Sequence, residues 1–425
     1  MRDLLAVLAE PNRRRLLELL LGGERSAGSL ATEFSITRPA VSQHLGVLVQ
    51  AGLVEVRREG RHRYYRVVPE GLAELRTSLD VFWTQELEEL AAIGPPGRGG
   101  GLMTIEKTVL VPLGAEETFA LLTEPARLRR WQAVAARIDL RAGGEFRWTI
   151  TPSHTAAGTV EEVDPGRRLV ITWGWEDSDD LPPGASTVTV TLEPAEGGTT
   201  VRLVHEGLTA EQAAGHGEGW DHYLARLVTA ASAGDAGPDE WAAAPDPMDR
   251  LSAAEASLAV CQRLLRDLTD ADRDKATPCP QFSVHELVDH LNGSLAFIGA
   301  AAGAQPSAAI GGGPEDLVAA TAQQALEAWR RRGLDGQVDL GGHPMPATLV
   351  ADILSIELLV HAWDLARATG RQIAVSDELS AFVLDLGREL LSPQLRDGDR
   401  FAPEVVVGDG ADGLARLAAF TGRRP

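Results

Sequence analysis

Cysteine is almost missing from this chain: Cys261 and Cys279 are its only two in 425 residues. Two thiols cannot build a disulfide framework, and such sparing use points to a reducing, cytoplasmic setting. No uninterrupted apolar run reaches the roughly 18 residues that a membrane-crossing helix needs, so no membrane partner is expected. The opening Met1-Arg2-Asp3-Leu4-Leu5 starts a helix-like pattern, and a secretory leader is not expected. Lysine is as rare as cysteine, at Lys107 and Lys275, so nearly every cation is an arginine. No internal repeat is found, which removes a repeat architecture.

What is present describes a multidomain globular protein. Hydrophobic residues make up 44% and mean hydropathy is -0.08. This length exceeds one ordinary core, so about two to four domains are expected. Gly94-Pro95-Pro96-Gly97-Arg98-Gly99-Gly100-Gly101 and the stretch from Gly234 to Pro247 read as linkers. They bound expected domains at 1–97, 103–236 and 249–425. The net charge of -21 divides among these segments as -1, -11 and -9. The first segment is therefore nearly neutral, and the acidic remainder discourages non-specific coating of nucleic acid.

The first segment is built around 37–53. Thr37 can cap a helix whose first turn holds Pro39, and Gly52 ends it. Val41, Leu45, Leu48 and Val49 fall on one buried stripe, leaving Arg38, Ser42, Gln43 and His44 outward. Two short strands follow around a Gly turn, from Val54 to Val67. Their Arg57, Arg58, Arg61, Arg63 and Arg66 are opposed only by Glu59. A helix sized for the major groove beside a basic hairpin is a double-stranded DNA-reading unit, with Thr37, Arg38, Ser42, Gln43, His44, Arg57, Arg58, Arg61, Arg63 and Tyr65 as its contacts. Two earlier helices pack behind it, after a short opening one at 4–8. A last helix from Glu70 repeats Leu72, Leu75, Leu79, Phe82, Trp83, Leu87 and Leu90, an apolar face broad enough for a homodimer. Pro11-Asn12-Arg13-Arg14-Arg15-Leu16-Leu17, Ser42-Gln43-His44-Leu45 and Gly52-Leu53-Val54 resemble the ArsR/SmtB-type winged-helix repressors. Ser26–Phe34 holds no Cys and Leu72–Leu90 no His, so the metal-sensing sites of that family are not expected here.

The middle segment alternates as strands. Thr187-Val188-Thr189-Val190-Thr191-Leu192 is strict, with one wet and one buried face. A closing amphipathic helix carries Trp220, Tyr223, Leu224 and Leu227. A curved antiparallel sheet closed by a long helix encloses a cavity. Arg130-Trp131, Gly143-Gly144-Glu145-Phe146, 158–165, 168–173 and Gly219-Trp220 resemble the START-like (SRPBCC) helix-grip domains, in the branch related to activators of the Hsp90 ATPase. That resemblance implies a hydrophobic small-molecule ligand, and Trp131, Trp148, Trp173 and Trp220 are the expected lining. His205, His216 and His222 read as structural or solvent-exposed.

The last segment shows four long helical periods, starting near Leu251, Val284, Leu317 and Thr348, which suggests a bundle. Glu357 and His361 lie four apart on one helix and share a face. His290, on a facing helix, supplies a third donor, giving two imidazoles and a carboxylate with an open position. Asp364 and Arg367, following on the same helix, read as a structural ion pair. Thr277-Pro278-Cys279-Pro280, the run 357–370 and the tail with Phe401-Ala402-Pro403 and Gly422-Arg423-Arg424-Pro425 resemble the DinB-like bundles related to mycothiol-dependent maleylpyruvate isomerase. The resemblance maps a divalent metal, zinc, onto His290, Glu357 and His361, and implies mycothiol or another low-molecular-weight thiol as co-reactant. Arg330, Arg331 and Arg332 are candidates for steering an anionic substrate.

The expected fold is thus an α+β winged helix-turn-helix, then an α+β helix-grip domain, then a mainly α four-helix bundle with a small C-terminal extension. The expected function is a DNA-binding transcriptional repressor whose later domains sense or process a hydrophobic or electrophilic compound. The alternative is a metal- and thiol-dependent transferase or isomerase with an autoregulatory DNA-binding end. A third reading makes the later domains inert binding modules.

Overall fold

The structure is a computed structural model and describes residues 11–21, 23–31, 33–34, 38–59, 62–68, 102–305, 312–391, 396, 402–408 and 410–425. The expected opening helix, Thr37, Arg61, the 94–101 linker and the apolar helix 72–90 lie outside these residues. The chain divides into two compact units, Met1–Gly100 and Gly101–Pro425.

In the first unit, α1 (Pro11–Leu21), β1 (Arg25–Ser26), α2 (Ala27–Ala31) and α3 (Arg38–Gln50) precede a hairpin of β2 (Val54–Glu59) and β3 (His62–Val67). The small sheet runs β1-β3-β2. The stripe expected on α3 is buried: Val41, Leu45 and Leu48 meet Leu16, Leu20, Leu30 and Leu53. Gly52 takes φ +78, a left-handed turn that glycine enters without a Cβ penalty, and the chain reverses into β2 there.

The second unit begins with β4 (Met103–Val111), α4 (Ala115–Thr123) and α5 (Pro125–Leu128). Then come β5 (Ala135–Ile138), β6 (Glu145–Thr151), β7 (His154–Asp164), β8 (Arg168–Trp175), β9 (Ser186–Ala195) and β10 (Gly198–Leu208). Seven antiparallel strands run in the order β4-β10-β9-β8-β7-β6-β5. Val188, Val190 and Leu192 are buried while the intervening threonines are half-buried, as the alternation requires. α6 (Ala210–Ala233) lies across the sheet, and its start is fixed by a capping box between Thr209 and Gln212. Register shifts at Thr149/Thr151, Val160/Glu162 and Glu206/Leu208 bend the sheet around that helix.

The Gly/Pro stretch after α6 is ordered. It holds α7 (Glu240–Ala243), whose Trp241 stacks on His222 at 4.0 Å. The bundle follows as α8 (Arg250–Arg266), α9 (Val284–Ala301), α10 (Pro314–Arg332) and α11 (Ala347–Thr369). A short hairpin of β11 (Gln337–Asp339) and β12 (Pro344–Pro346) precedes α11, and α12 (Asp377–Leu390) and α13 (Gly413–Phe420) form the extension. Asp249 and Ser283 start α8 and α9 with capping boxes, and Ser376 and Asp412 cap α12 and α13. α11 is apolar on nearly every side because α8, α9 and α12 surround it. Among the described residues, no helix is long and apolar enough to cross a membrane.

Candidate functional site

Three sites emerge. On the hairpin, β2 and β3 pair Glu55 with Arg66 and Arg57 with Tyr64 across one face. Arg66 donates to Glu55 there, and Arg57 donates to Glu24 at 2.9 Å and lies over the Tyr64 ring. Glu24 and Glu55, not Glu59 alone, therefore oppose the arginines. Tyr65 is a correction: it continues the face of Val54 and Val67 into the core and is 5% exposed, so it cannot reach DNA. Arg63 and Gln43 are exposed, and His44 is half-buried. Arg38, Ser42 and Arg58 lie on α3, α3 and β2 respectively.

Between α6 and the sheet lies a groove of about 410 Å³, lined by Trp173, Trp175, His216, Trp220, Tyr223 and Trp241 among others. Trp173 and Trp220 are where the sequence placed them. Trp131 and Trp148 are not in this wall. Both are core residues: Trp131 spends its N–H on the Leu121 carbonyl at 2.9 Å, and Trp148 packs against Phe146 with ring centroids 4.6 Å apart. Trp175, one of the five tryptophans clustered in this segment, joins Trp173 and Trp220 in the wall, while His216 and Trp241 were missed because their rings reach the groove only through the bend of the sheet and the docking of α7.

The histidines behind this groove are fixed in tautomer. Trp220 donates to Nδ1 of His205 at 3.1 Å, so Nε2–H of His205 donates to Ser186 at 2.8 Å, and Ser186 donates to the Trp173 carbonyl at 3.0 Å. Trp175 likewise donates to Nε2 of His216 at 3.1 Å, leaving Nδ1–H for the Gln212 carbonyl at 2.8 Å. Burial, with His216 beside it, pushes His205 down to about 3. His205 therefore stabilises the fold only while neutral. Its contribution is complete above the ordinary value of 6.5 and is lost as pH falls toward 3. Each pH unit in that window is expected to cost about 1.4 kcal/mol. Chemical unfolding followed by tryptophan fluorescence, at several values between pH 7 and pH 4.5, checks this. His205→Asn should flatten the slope; equal slopes in both proteins would rule the account out.

In the bundle, α9 presents His290 and α11 presents Glu357 and His361 to one point. Their donor atoms all lie within 4.8 Å of one another. Nε2 of His290 is 3.5 Å from Oε2 of Glu357, and Nε2 of His361 is 3.6 Å from the same oxygen. That oxygen is buried and has no hydrogen-bond partner. A tetrahedral ion with bonds of about 2.0–2.1 Å holds its donors about 3.3–3.4 Å apart, close to the two separations from Glu357. Burial works against a charged Glu357, but His290 and His361 outweigh it and hold the carboxyl well below its usual range.

The support for His361 comes from behind. Its Nδ1 is 3.0 Å from Asp364, which is fully buried and accepts two bonds from Arg423, at 2.8 and 3.2 Å. The expected Asp364–Arg367 pair is corrected: Arg367 lies over the Trp363 ring instead. Arg330 is committed to Glu255 at 2.7 Å and Arg332 to backbone carbonyls, while Arg331 is exposed. The arginine attached to the cluster is thus Arg423, contributed by the C-terminal extension.

Comparison with known proteins matches three family models. "Helix-turn-helix domain" covers residues 8–57, "Activator of Hsp90 ATPase homolog 1-like protein" covers 113–232, and "Mycothiol maleylpyruvate isomerase N-terminal domain" covers 254–366. The chain is 48% identical over 86 residues to the HTH-type transcriptional regulator Rv2034 of Mycobacterium tuberculosis, covering 20% of this chain and 80% of that one. It is 38% identical over 65 residues to the transcriptional repressor SdpR of Bacillus subtilis, covering 15% and 72%. It is also 30% identical over 183 residues to the uncharacterized protein Rv0738 of Mycobacterium tuberculosis, covering 41% and 98%. The three-part layout read from the sequence is therefore shown: a helix-turn-helix segment, a sheet-rich domain with a long helix, and a helical domain.

Proposed function

The chain belongs to the helix-turn-helix transcriptional regulators, and from that membership we propose that it is a cytoplasmic repressor whose later domains answer to a small molecule and a metal. The observation that carries the reading is the match of the first segment to a regulator, with α3 packed so that Gln43 stays exposed beside the arginine hairpin. α3 enters the major groove of an operator, and the hairpin lies along the backbone. The chain acts as a homodimer through the apolar sequence repeat Leu72–Leu90, so two copies address half-sites about one helical turn apart.

Binding to fragments upstream of its own gene, followed by fluorescence anisotropy over a range of salt, tests this. Arg63→Ala is expected to weaken all sequences alike and lower the salt slope by about one. Gln43→Ala is expected to cost about 1–3 kcal/mol on the operator and to relax its discrimination. A protein that ignores every upstream fragment at low salt would overturn the repressor reading.

The ligand of the helix-grip domain sits in the aromatic groove, where a flat apolar compound meets Trp173, Trp175 and Trp220. His290, Glu357 and His361 hold a divalent cation, and zinc suits two imidazoles and a carboxylate. When bound, such an ion lowers the pKa of a thiol and holds the thiolate, from mycothiol or a similar compound. Asp364 fixes the His361 ring, and Arg423 fixes Asp364. The unpartnered Glu357 oxygen favours the second reading as well, in which this bundle transfers or isomerises with a thiol and the DNA-binding end adjusts its own supply.

A further inference from the structure

A second cavity, of about 320 Å³, lies where the helix-grip domain meets the bundle, at the foot of the ordered Gly/Pro stretch. Its floor is apolar: Val134, Ile150, Ala256, Val260, Ile373 and Val375 line it. Its polar lining is mixed, with Arg129, Arg226, Arg263 and Arg266 standing beside Asp235 and Asp239. Three of the arginines are matched by acids. Arg129 pairs with Glu315 and Asp316, Arg266 with Asp235, and Arg226 with Asp239 at 3.8 Å. Arg263 is different. Among the described residues its recorded bond is one from Nη2 to the Ala374 carbonyl at 3.2 Å, and no carboxylate pairs with it.

Beside it stands a second, independent signal. Gln262 is 2% exposed and lines the same cavity, yet its Nε2 has no hydrogen-bond partner among the described residues. Nε of Arg266 is also buried without one. A buried donor left unsatisfied loses its water without recovering a hydrogen bond, so such groups normally have a partner. Burial also holds the Arg263 guanidinium below its ordinary value, with Arg266 and Arg226 adding to the effect against the pull of Asp235 and Asp239. Donors without acceptors, one unmatched cation and an apolar floor describe the complement of one kind of molecule.

We propose that this junction cavity binds a small organic carboxylate, its head on Arg263 and Gln262 and its apolar body between Ile150 and Ile373. The charge of the surrounding segments, -11 and -9, repels anions at long range. Recognition must therefore come from these local donors. The site is distinct from the aromatic groove, although Gln132 and Ile150 belong to both walls. A molecule here touches α5's following turn, the Gly/Pro stretch and α8 together, so its binding draws the two domains into one response.

The test is calorimetric titration of the full chain with benzoate, 2-naphthoate and decanoate, each against its neutral amide. At least one acid is expected to bind about tenfold or more tightly than its amide, the margin of a charge-assisted hydrogen bond. Arg263→Met should erase that preference, Arg263→Lys should keep most of it, and Gln262→Leu should weaken the acid alone. Trp175→Ala, in the aromatic groove, should leave it unchanged, which separates this site from the proposed ligand groove. Acids and amides binding alike, no acid binding, or Arg263→Met retaining the preference would each overturn the proposal.

Discussion

His361→Ala is expected to strip the bundle of its metal, lowering affinity by more than the about 10–100-fold that follows loss of a supporting residue. The reason is geometric. His361 is one of three donors, and its Nε2 lies 3.6 Å from the buried Glu357 oxygen that is another of them. Alanine leaves only two donors. Glu357→Gln should act as strongly, because it removes the charge that offsets the cation. Asp364→Asn keeps every ligand and should fall in the about 10–100-fold range, since only the orientation of the His361 ring is loosened. Competition against a chromophoric chelator, with metal content measured after dialysis, gives all three values on the full chain. Wild type and His361→Ala carrying equally little metal would remove the metal reading, and with it the thiol chemistry built upon it. An unchanged Asp364→Asn protein would remove only the role given to the carboxylate behind the ring.

The order of these elements was open to reading because local signals carry it. Thr187–Leu192 alternates, and the burial of β9 alternates with it. Glu357 and His361 share a helical face by spacing alone. What spacing cannot supply is the approach of two helices, so His290 could be offered as a third donor from its place beside an apolar face, and only the family resemblance tied it to the other two. Arg423 stands 59 residues beyond Asp364, and nothing local in either stretch announces that bond. Tyr65 failed for a different reason: two adjacent tyrosines on a short strand must point to opposite faces, and only the hairpin register decides which is inside. Trp148 fills the core and Trp131 lines the junction cavity instead of the aromatic groove, a division that composition could not make. Tryptophans gathered in one segment can line a cavity or fill a core, and the bends in the sheet assign each ring. The ordered Gly/Pro stretch is the clearest case of tertiary override. Its residues have no strong local preference, yet Asp235 and Asp239 are held by Arg266 and His222.

Arg129→Ala is expected to destabilise the second unit by about 3–5 kcal/mol, the usual consequence of leaving one buried charge without its partner. Arg129 follows α5 and reaches α10, where its Nε donates to Glu315 at 2.6 Å and its Nη2 to Asp316 at 2.6 Å. Both halves of the first pair are buried, with side chains 6% and 8% exposed. Arg266 also donates to Glu315, at 3.3 Å. Burial alone would raise the Glu315 pKa, but Arg129 and Arg266 outweigh it and hold the group below its ordinary 4.5. The stabilisation is therefore present above that value and fades as pH falls below it. Removing Glu315 as well should recover part of the loss, because no buried carboxylate is then left with only the longer contact to Arg266. The double variant should differ from the sum of the singles by about 0.5–3 kcal/mol. Chemical unfolding of the two single variants and the double at pH 7 measures the cycle. Effects that simply add would show the pair to be incidental, and the helix-grip domain and bundle would then be held together by their apolar contacts alone.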